Sequence, residues 1–394
     1  MKKTVVAMLL AILAAGSVYA IDPGQSELEY NGWFRYMNQS KKFDVTNPTA
    51  SRSVIERNYF RASHRWNEQL FSKLTLDFLS SSSYADGASV RIKEAYMDMA
   101  LPMIPDFVLT AGMQKHYFSE IYSWDYTHPD KSLADAQGVY ASADYGVTVN
   151  GFLPNGLGEL QLGAYNGEGY KVTGAKNSTA PELLANVRLT PFAGVQVGTS
   201  VFSKAKEIAP YANNKKGRNN DNTKFELGDT ANMNRFGLAP MAKVAFGPVS
   251  LTGEYIMLNY TREYSYYSLN KDSSGTVVDS TLVENSKDYA QSGIDLLPVV
   301  SLMNRKLEVF GRFSTWERKE EAAEGAIEVN LDKSLTRYGA GFNWYFLRRA
   351  GGSKPAAMFQ LAWVREQSHK EGADPVDTFM AQFRFEWNHV LNAN

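Results

Sequence analysis

The sequence predicts an all-β chain, a transmembrane antiparallel up-and-down β-barrel of sixteen strands. Three observations predict it. Two-faced segments recur along most of the chain, short and long connections alternate between them, and the chain opens with the layout of an export signal. Thr378 to Trp387 shows the pattern most clearly. Phe379, Ala381, Phe383, Phe385 and Trp387 alternate with Thr378, Met380, Gln382, Arg384 and Glu386. Successive side chains of a strand point to opposite faces, so this strand has one apolar face and one wet face.

The first residues predict where the chain goes. Lys2 and Lys3 precede the apolar run Val5 to Ala15, and Val18-Tyr19-Ala20 fits a small-residue cleavage site. This is a secretory signal over 1–20, with the mature chain at 21–394. The apolar core of about 12 residues is too short for a spanning helix, which takes about 20. No later stretch approaches a continuous apolar span, and mean hydropathy is -0.34, the value of a soluble protein. A barrel reconciles export to a membrane with that value, because only alternate residues of its strands need be apolar. The predicted location is the outer membrane of a Gram-negative-type bacterium. The 394 residues include no cysteine, which excludes a disulfide framework and thiol chemistry. A formal charge of -1 provides no bulk field for nucleic acid.

The two-faced segments run 28–37, 55–66, 69–79, 90–101, 106–115, 138–153, 158–167, 182–191, 194–203, 234–246, 249–262, 287–301, 305–318, 334–347, 356–369 and 377–387. Compact turns such as Asn67-Glu68, Pro102 to Pro105, Pro154 to Leu157, Phe192-Ala193, Gly247-Pro248 and Met303-Asn304 alternate with polar stretches at 38–54, 80–89, 116–137, 168–181, 204–233, 263–286 and 319–333. Glycine, proline and asparagine supply the backbone angles of tight turns. An even-stranded barrel has short periplasmic turns and long outer loops, so it predicts this rhythm. A sandwich does not. Lipid leaves a sheet edge unsatisfied, so the sheet must close. Sixteen strands then enclose water and imply a conduit.

Candidate functional residues follow from the wet face. Arg57, Arg61 and Arg65 recur every fourth residue of one strand, in steps of about 13 Å at about 3.3 Å per residue. Phe60 and Ala62 lie on the opposite face, with His64 and Asn58 as polar exceptions. Arg35, Lys73, Arg188, Arg235, Lys243, Arg312, Arg337 and Arg384 share the inward phase, giving eleven basic residues against nine acids: Glu29, Asp77, Glu94, Asp98, Glu254, Asp295, Glu308, Glu366 and Glu386. Guanidinium groups bind anions bidentately, so Arg57, Arg61, Arg65, Arg35, Lys73, Arg337 and Arg384 form a candidate anion path. The competing arrangement is a wall ladder in which each arginine pairs with an acid on the next strand. The stretch 116–137 is aromatic and only mildly charged, unlike an exposed loop. It predicts a segment folded inward, with Lys115, His116, Tyr122, Trp124 and Tyr126 at a constriction. The alternative is an outer cap.

Gly112, Gln114, Lys115, Phe118 and Ser119 in G-M-Q-K-H-Y-F-S resemble the corresponding run of the phosphate-selective porin family. Gly138-Val139-Tyr140 and Ala164 to Gly169 resemble its sixth and seventh strands. Tyr117 stands where that family commonly has proline, and Asn388 to Asn394 follow the last aromatic. The resemblance covers about a third of the chain. It implies a trimeric sixteen-stranded outer-membrane porin whose third long loop enters the lumen, passing small hydrophilic or anionic solutes.

Enzymatic chemistry has little support. His64, His116, His128, His369 and His389 are scattered, and His116 and His128 with Asp125 and Asp130 match no zinc spacing. No cofactor is implied. No serine–histidine context marks a barrel lipase. A reading of another class is a surface-exposed structural or adhesive barrel that displays the loops 204–233 and 263–286.

Overall fold

The computed structural model describes residues 21–41, 49–80, 88–104, 106–123, 127–170, 180–209, 217–218, 224–225, 231–271, 274, 277–318, 334–348 and 355–391. The segment 1–20, read as an export signal, lies outside them. The barrel strands, in chain order, are β1 (Ser26–Lys41), β2 (Ala50–Arg65), β3 (Leu70–Ser80), β4 (Ala88–Ala100), β5 (Phe107–Lys115), β6 (Ala143–Leu153), β7 (Gly158–Tyr165), β8 (Glu182–Phe192), β9 (Val195–Ala209), β10 (Ala231–Phe246), β11 (Val249–Lys271), β12 (Val277–Leu302), β13 (Leu307–Arg318), β14 (Leu335–Arg348), β15 (Pro355–Ser368) and β16 (Val376–Leu391). Each pairs antiparallel with its chain neighbours, and β1 pairs with β16 from Ser26↔Leu391 to Lys41↔Val376, which closes the sheet.

The molecule is thus a transmembrane up-and-down barrel with no free sheet edge. Its outer wall carries exposed Phe34, Tyr36, Tyr338, Trp344, Phe346, Phe383 and Trp387, apolar surface that only hydrocarbon and its interface cover without penalty. The two polar exceptions of β2 are answered on that wall. Ser26 Oγ lies 2.8 Å from His64 Nδ1, and the Tyr30 hydroxyl donates to Asn58 at 3.1 Å.

The structure corrects four boundaries. The stretch 263–286 is not a loop: β11 and β12 stay in register to Asn270↔Asp279, leaving only 272–276 between them. Serine and tyrosine recur at both odd and even positions of this stretch, so the sequence carries no alternation to mark the ladder. β9 and β10 likewise reach into the stretch 204–233, and β1 and β2 into 38–54. Gly138-Val139-Tyr140 belongs to the connection, not to the sixth strand, which begins at Ala143. That connection contains the helix α1 (Leu133–Ala136), capped by Ser132, whose hydroxyl accepts from the Asp135 amide at 3.2 Å.

Among the irregularities of register, bulges in β2 and β4 break the strict alternation on the charged side. Trp33 pairs with Arg57 but Phe34 with Ile55, so Glu56 is an extra residue in β2. Thr75 pairs with Glu94 but Leu76 with Ile92, so Lys93 is extra in β4. A bulge lets two consecutive side chains face the same side. Glu56 therefore reaches Arg35 at 3.4 Å, and Lys93 reaches the Ser142 hydroxyl, although each follows or precedes another inward charge.

Candidate functional site: a braced loop inside the barrel

The connection 116–142 meets the inward-facing side chains of strands on opposite sides of the barrel. Its first limb rests on β8 and β11. Glu254 accepts from the Ser119 hydroxyl at 2.7 Å and from the amide of Glu120 at 2.8 Å, while Arg188 donates to the Ser119 carbonyl at 3.0 Å and pairs with Glu120 at 2.9 Å. Its tip rests on β13 to β15 and β1. Asn343 and Gln360 both donate to the Thr127 carbonyl, at 3.0 and 3.2 Å, and Arg35 donates to the Pro129 carbonyl. Arg312 donates to Asp130 at 2.6 Å and to the Lys131 carbonyl at 2.8 Å, with Asp295 at 2.7 Å on its other nitrogen. The Leu133 amide donates to Asp295 at 3.2 Å, and Arg235 donates to the Val139 carbonyl.

Apolar packing backs these bonds. Phe118, Leu133, Val139 and Tyr140 of the loop form one buried cluster with Leu184, Phe202, Ala239, Ile256, Leu258 and Trp316 of the wall. Ile121 joins a second, with Leu297, Phe310, Ala362 and Met380. The inner face of β8 to β16 is therefore partly a hydrophobic core that the loop completes. A uniformly wet inner face, the expectation from alternation, is corrected here: part of it is apolar and covered by the loop. Polar groups of the loop are shaped by burial and charge. Burial pushes the Asp130 carboxyl up, but Arg312, the hydrogen bond from His128 and Arg337 outweigh it and hold Asp130 well below the usual carboxylate range. Burial raises Glu120 against the pull of Arg188, and raises the Tyr117 phenol to about 12.

The sequence candidates fall into three groups. Arg57, Arg61 and Lys73 stand along β2 and β3, each with an acid: Asp77 at 2.7 Å, Glu29, and Glu94 at 3.0 Å. Arg337 pairs with Glu366 at 2.5 Å and reaches Asp130 at 3.6 Å. These are rungs of a paired ladder. Arg65 turns to the barrel end, donating to the Ile21 carbonyl at 3.0 Å, so it is corrected from a ladder member to a tie for the start of the described chain. Arg35 and Arg384 are each 5 % exposed and are corrected to supports: Arg35 braces the loop with Gln382, and Arg384 lies 4.0 Å from the Trp33 ring centroid.

Among the loop candidates, Lys115 sits 3.3 Å from the centroid of Tyr122. His116 is corrected from the constriction to the loop's root. It is 2 % exposed, bonded to Glu182 at 2.6 Å and packed between the rings of Tyr140 and Tyr165. Trp124 and Tyr126 lie outside the described residues. Sequence reading missed Glu56, Lys93, Asp130 and Lys131 as lumen charges. The first two follow from bulges, which alternation conceals, and the last two from a loop whose inward course only its weak polarity signals. Among the described residues, no group of three or more metal-ligating side chains converges.

A closed sixteen-stranded barrel with an apolar exterior and a loop braced across its interior is the architecture of outer-membrane β-barrels. Among solved structures it is similar to an outer membrane protein of Vibrio cholerae, OmpT in its loop L8 deletion form, at 12 % identity and a TM-score of 0.56, covering 92 % of this chain and 99 % of that one. It is also similar to the outer membrane channel DcaP of Acinetobacter baumannii (11 %, TM-score 0.55, 94 % and 100 %) and to an anion-selective porin from Comamonas acidovorans (11 %, TM-score 0.53, 92 % and 100 %). Identities this low establish the fold alone. No protein-family model matches the chain, so the local likeness to phosphate-selective porins is not supported by a family match, and no curated protein matches it.

Proposed function

We propose that the protein is an outer-membrane porin, a passive diffusion channel for small hydrophilic solutes. The observation that carries this reading is the loop 116–142, braced across the interior beside the charged rungs of β2 to β4, which we take as the wall of the wet passage. A barrel that served only as an anchor needs no segment tied across its interior by buried charges. The structural neighbours include a channel and a porin by description, and one is a trimer form, which supports a homotrimer here.

Selectivity would be modest and favour anions. Arg61 and Lys73 would line the passage, but each is matched by an acid, which damps the field a bare basic ladder would produce. Planar-bilayer recording in a salt gradient is the test. Stepwise conductance with a small anion-directed reversal potential is expected. Cation preference would overturn the anion assignment, and absence of conductance the channel. The β11–β12 hairpin favours a second reading, surface display. Its strands of 23 and 26 residues exceed the roughly 9–11 needed to cross a membrane. Binding to a cell surface without conductance would favour that reading.

A further inference from the structure

A cavity of about 230 Å³ opens between β2, the return limb of the loop and the turn after β7. Its charged lining is of both signs: Arg57 and Lys131 on one side of the account, Asp135 and Glu168 on the other. It is smaller than the roughly 300–1,000 Å³ of pockets that hold drug-sized ligands, so its occupant is a small solute.

The turn that presents Glu168 is built in advance. Asp144 accepts from the Gly167 amide at 2.6 Å, and the Tyr170 amide donates to the Ala143 carbonyl at 2.9 Å. Gly167 and Gly169 flank Glu168 with φ of +76° and +78°, and a Cβ at 169 would lie 2.5 Å from that of Ala141. Glycine is required there for both reasons. Within this fixed turn, Glu168 Oε1 is buried and, among the described residues, has no hydrogen-bond partner. A buried acceptor left in this state costs free energy that a bound donor would recover. The other cavity charges are matched or reachable. Arg57 is held by Asp77 at 2.7 Å, whereas Lys131 is 38 % exposed and only loosely engaged by Asp135 at 3.5 Å. Lys93 is drawn off to the Tyr170 ring, 4.0 Å from its centroid.

The geometry points to a binding site for zwitterionic α-amino acids, the solute's ammonium on Glu168 and its carboxylate on Lys131. This inference rests on the channel reading for its role in permeation, but not for binding itself. Equilibrium dialysis of the detergent-solubilised protein with radiolabelled L-glutamine tests it, beside liposome swelling with L-glutamine and with erythritol. Saturable binding by the natural protein is expected, weakened at least tenfold by Glu168→Gln and by Lys131→Met, with the glutamine-to-erythritol rate ratio falling in both variants. Lys131→Met alters an exposed side chain and keeps the test alive if Glu168→Gln does not fold. Absence of saturable binding, or equal binding by both variants, overturns the site. So does equal slowing of glutamine and erythritol, because Glu168 would then only shape the passage. Binding without swelling or current sinks the channel and leaves the site standing; current without binding does the reverse.

Discussion

At Gly112 the backbone has φ +123°, and a Cβ there would lie 2.4 Å from the Ala95 carbonyl oxygen of the neighbouring strand. Backbone, unlike the end of a side chain, cannot move aside. Gly112→Val is expected to abolish the folded barrel, read as loss of the heat-modifiable band on an unheated gel; normal folding would contradict the register of β4 and β5. The ladder residues differ from one another in what they hold. Asp77 is fully buried beside Arg57, so Arg57→Gln strands a buried carboxylate at a cost of roughly 3–5 kcal/mol. Arg61 and Glu29 are partly exposed, and solvent screens their pair. Arg61→Gln should therefore leave stability nearly unchanged and move the reversal potential toward cations, whereas Arg57→Gln should lower the denaturant midpoint measurably. The arginine spacing is legible in the sequence because inward phase has a period of two. The partners are not, because register between strands decides them.

For single elements, the loop 116–142 is the part most exposed to test. Ser119 donates to Glu254 at 2.7 Å, and removing that donor from a buried carboxyl costs roughly 1–3 kcal/mol. Ser119→Ala should loosen the first limb without unfolding the barrel, seen as noisier and larger single-channel steps; an unchanged trace would contradict the brace. Asp130 supplies the pH dependence. Its folded-state pKa is depressed, so its contribution is complete above the unfolded value of about 3.9 and is lost only as pH falls below that toward the folded value. Conductance from pH 8 to 5 should then carry no Asp130-linked transition. A rise centred above pH 5 that disappears in Asp130→Asn would contradict the clamp. The sequence marks this loop by its aromatics and low charge. It does not mark its course, since Phe118, Leu133 and Val139 join a cluster whose wall residues come from seven strands, β7 to β13, on a face that alternation assigns to water. The same blindness affects the β11–β12 hairpin, whose backbone ladder runs on through a stretch where the sequence does not alternate.

The whole molecule is the most legible level. A closed sheet follows from the alternation, the rhythm of turns and the demand of lipid for a sheet without edges. What fills the barrel does not, because bulges at Glu56 and Lys93 and a docked loop redistribute charge inside it. The central claim is that the charged side of the sheet faces a water passage narrowed by that loop while the aromatic side faces lipid. The natural chain has no cysteine, so single thiols report on it cleanly. Lys131→Cys places one on the loop beside the passage, and Leu251→Cys one on the exposed outer wall. A charged, membrane-impermeant thiol reagent added during bilayer recording should reduce the conductance of Lys131→Cys stepwise and leave that of Leu251→Cys unchanged. Block at Leu251→Cys with none at Lys131→Cys would contradict it.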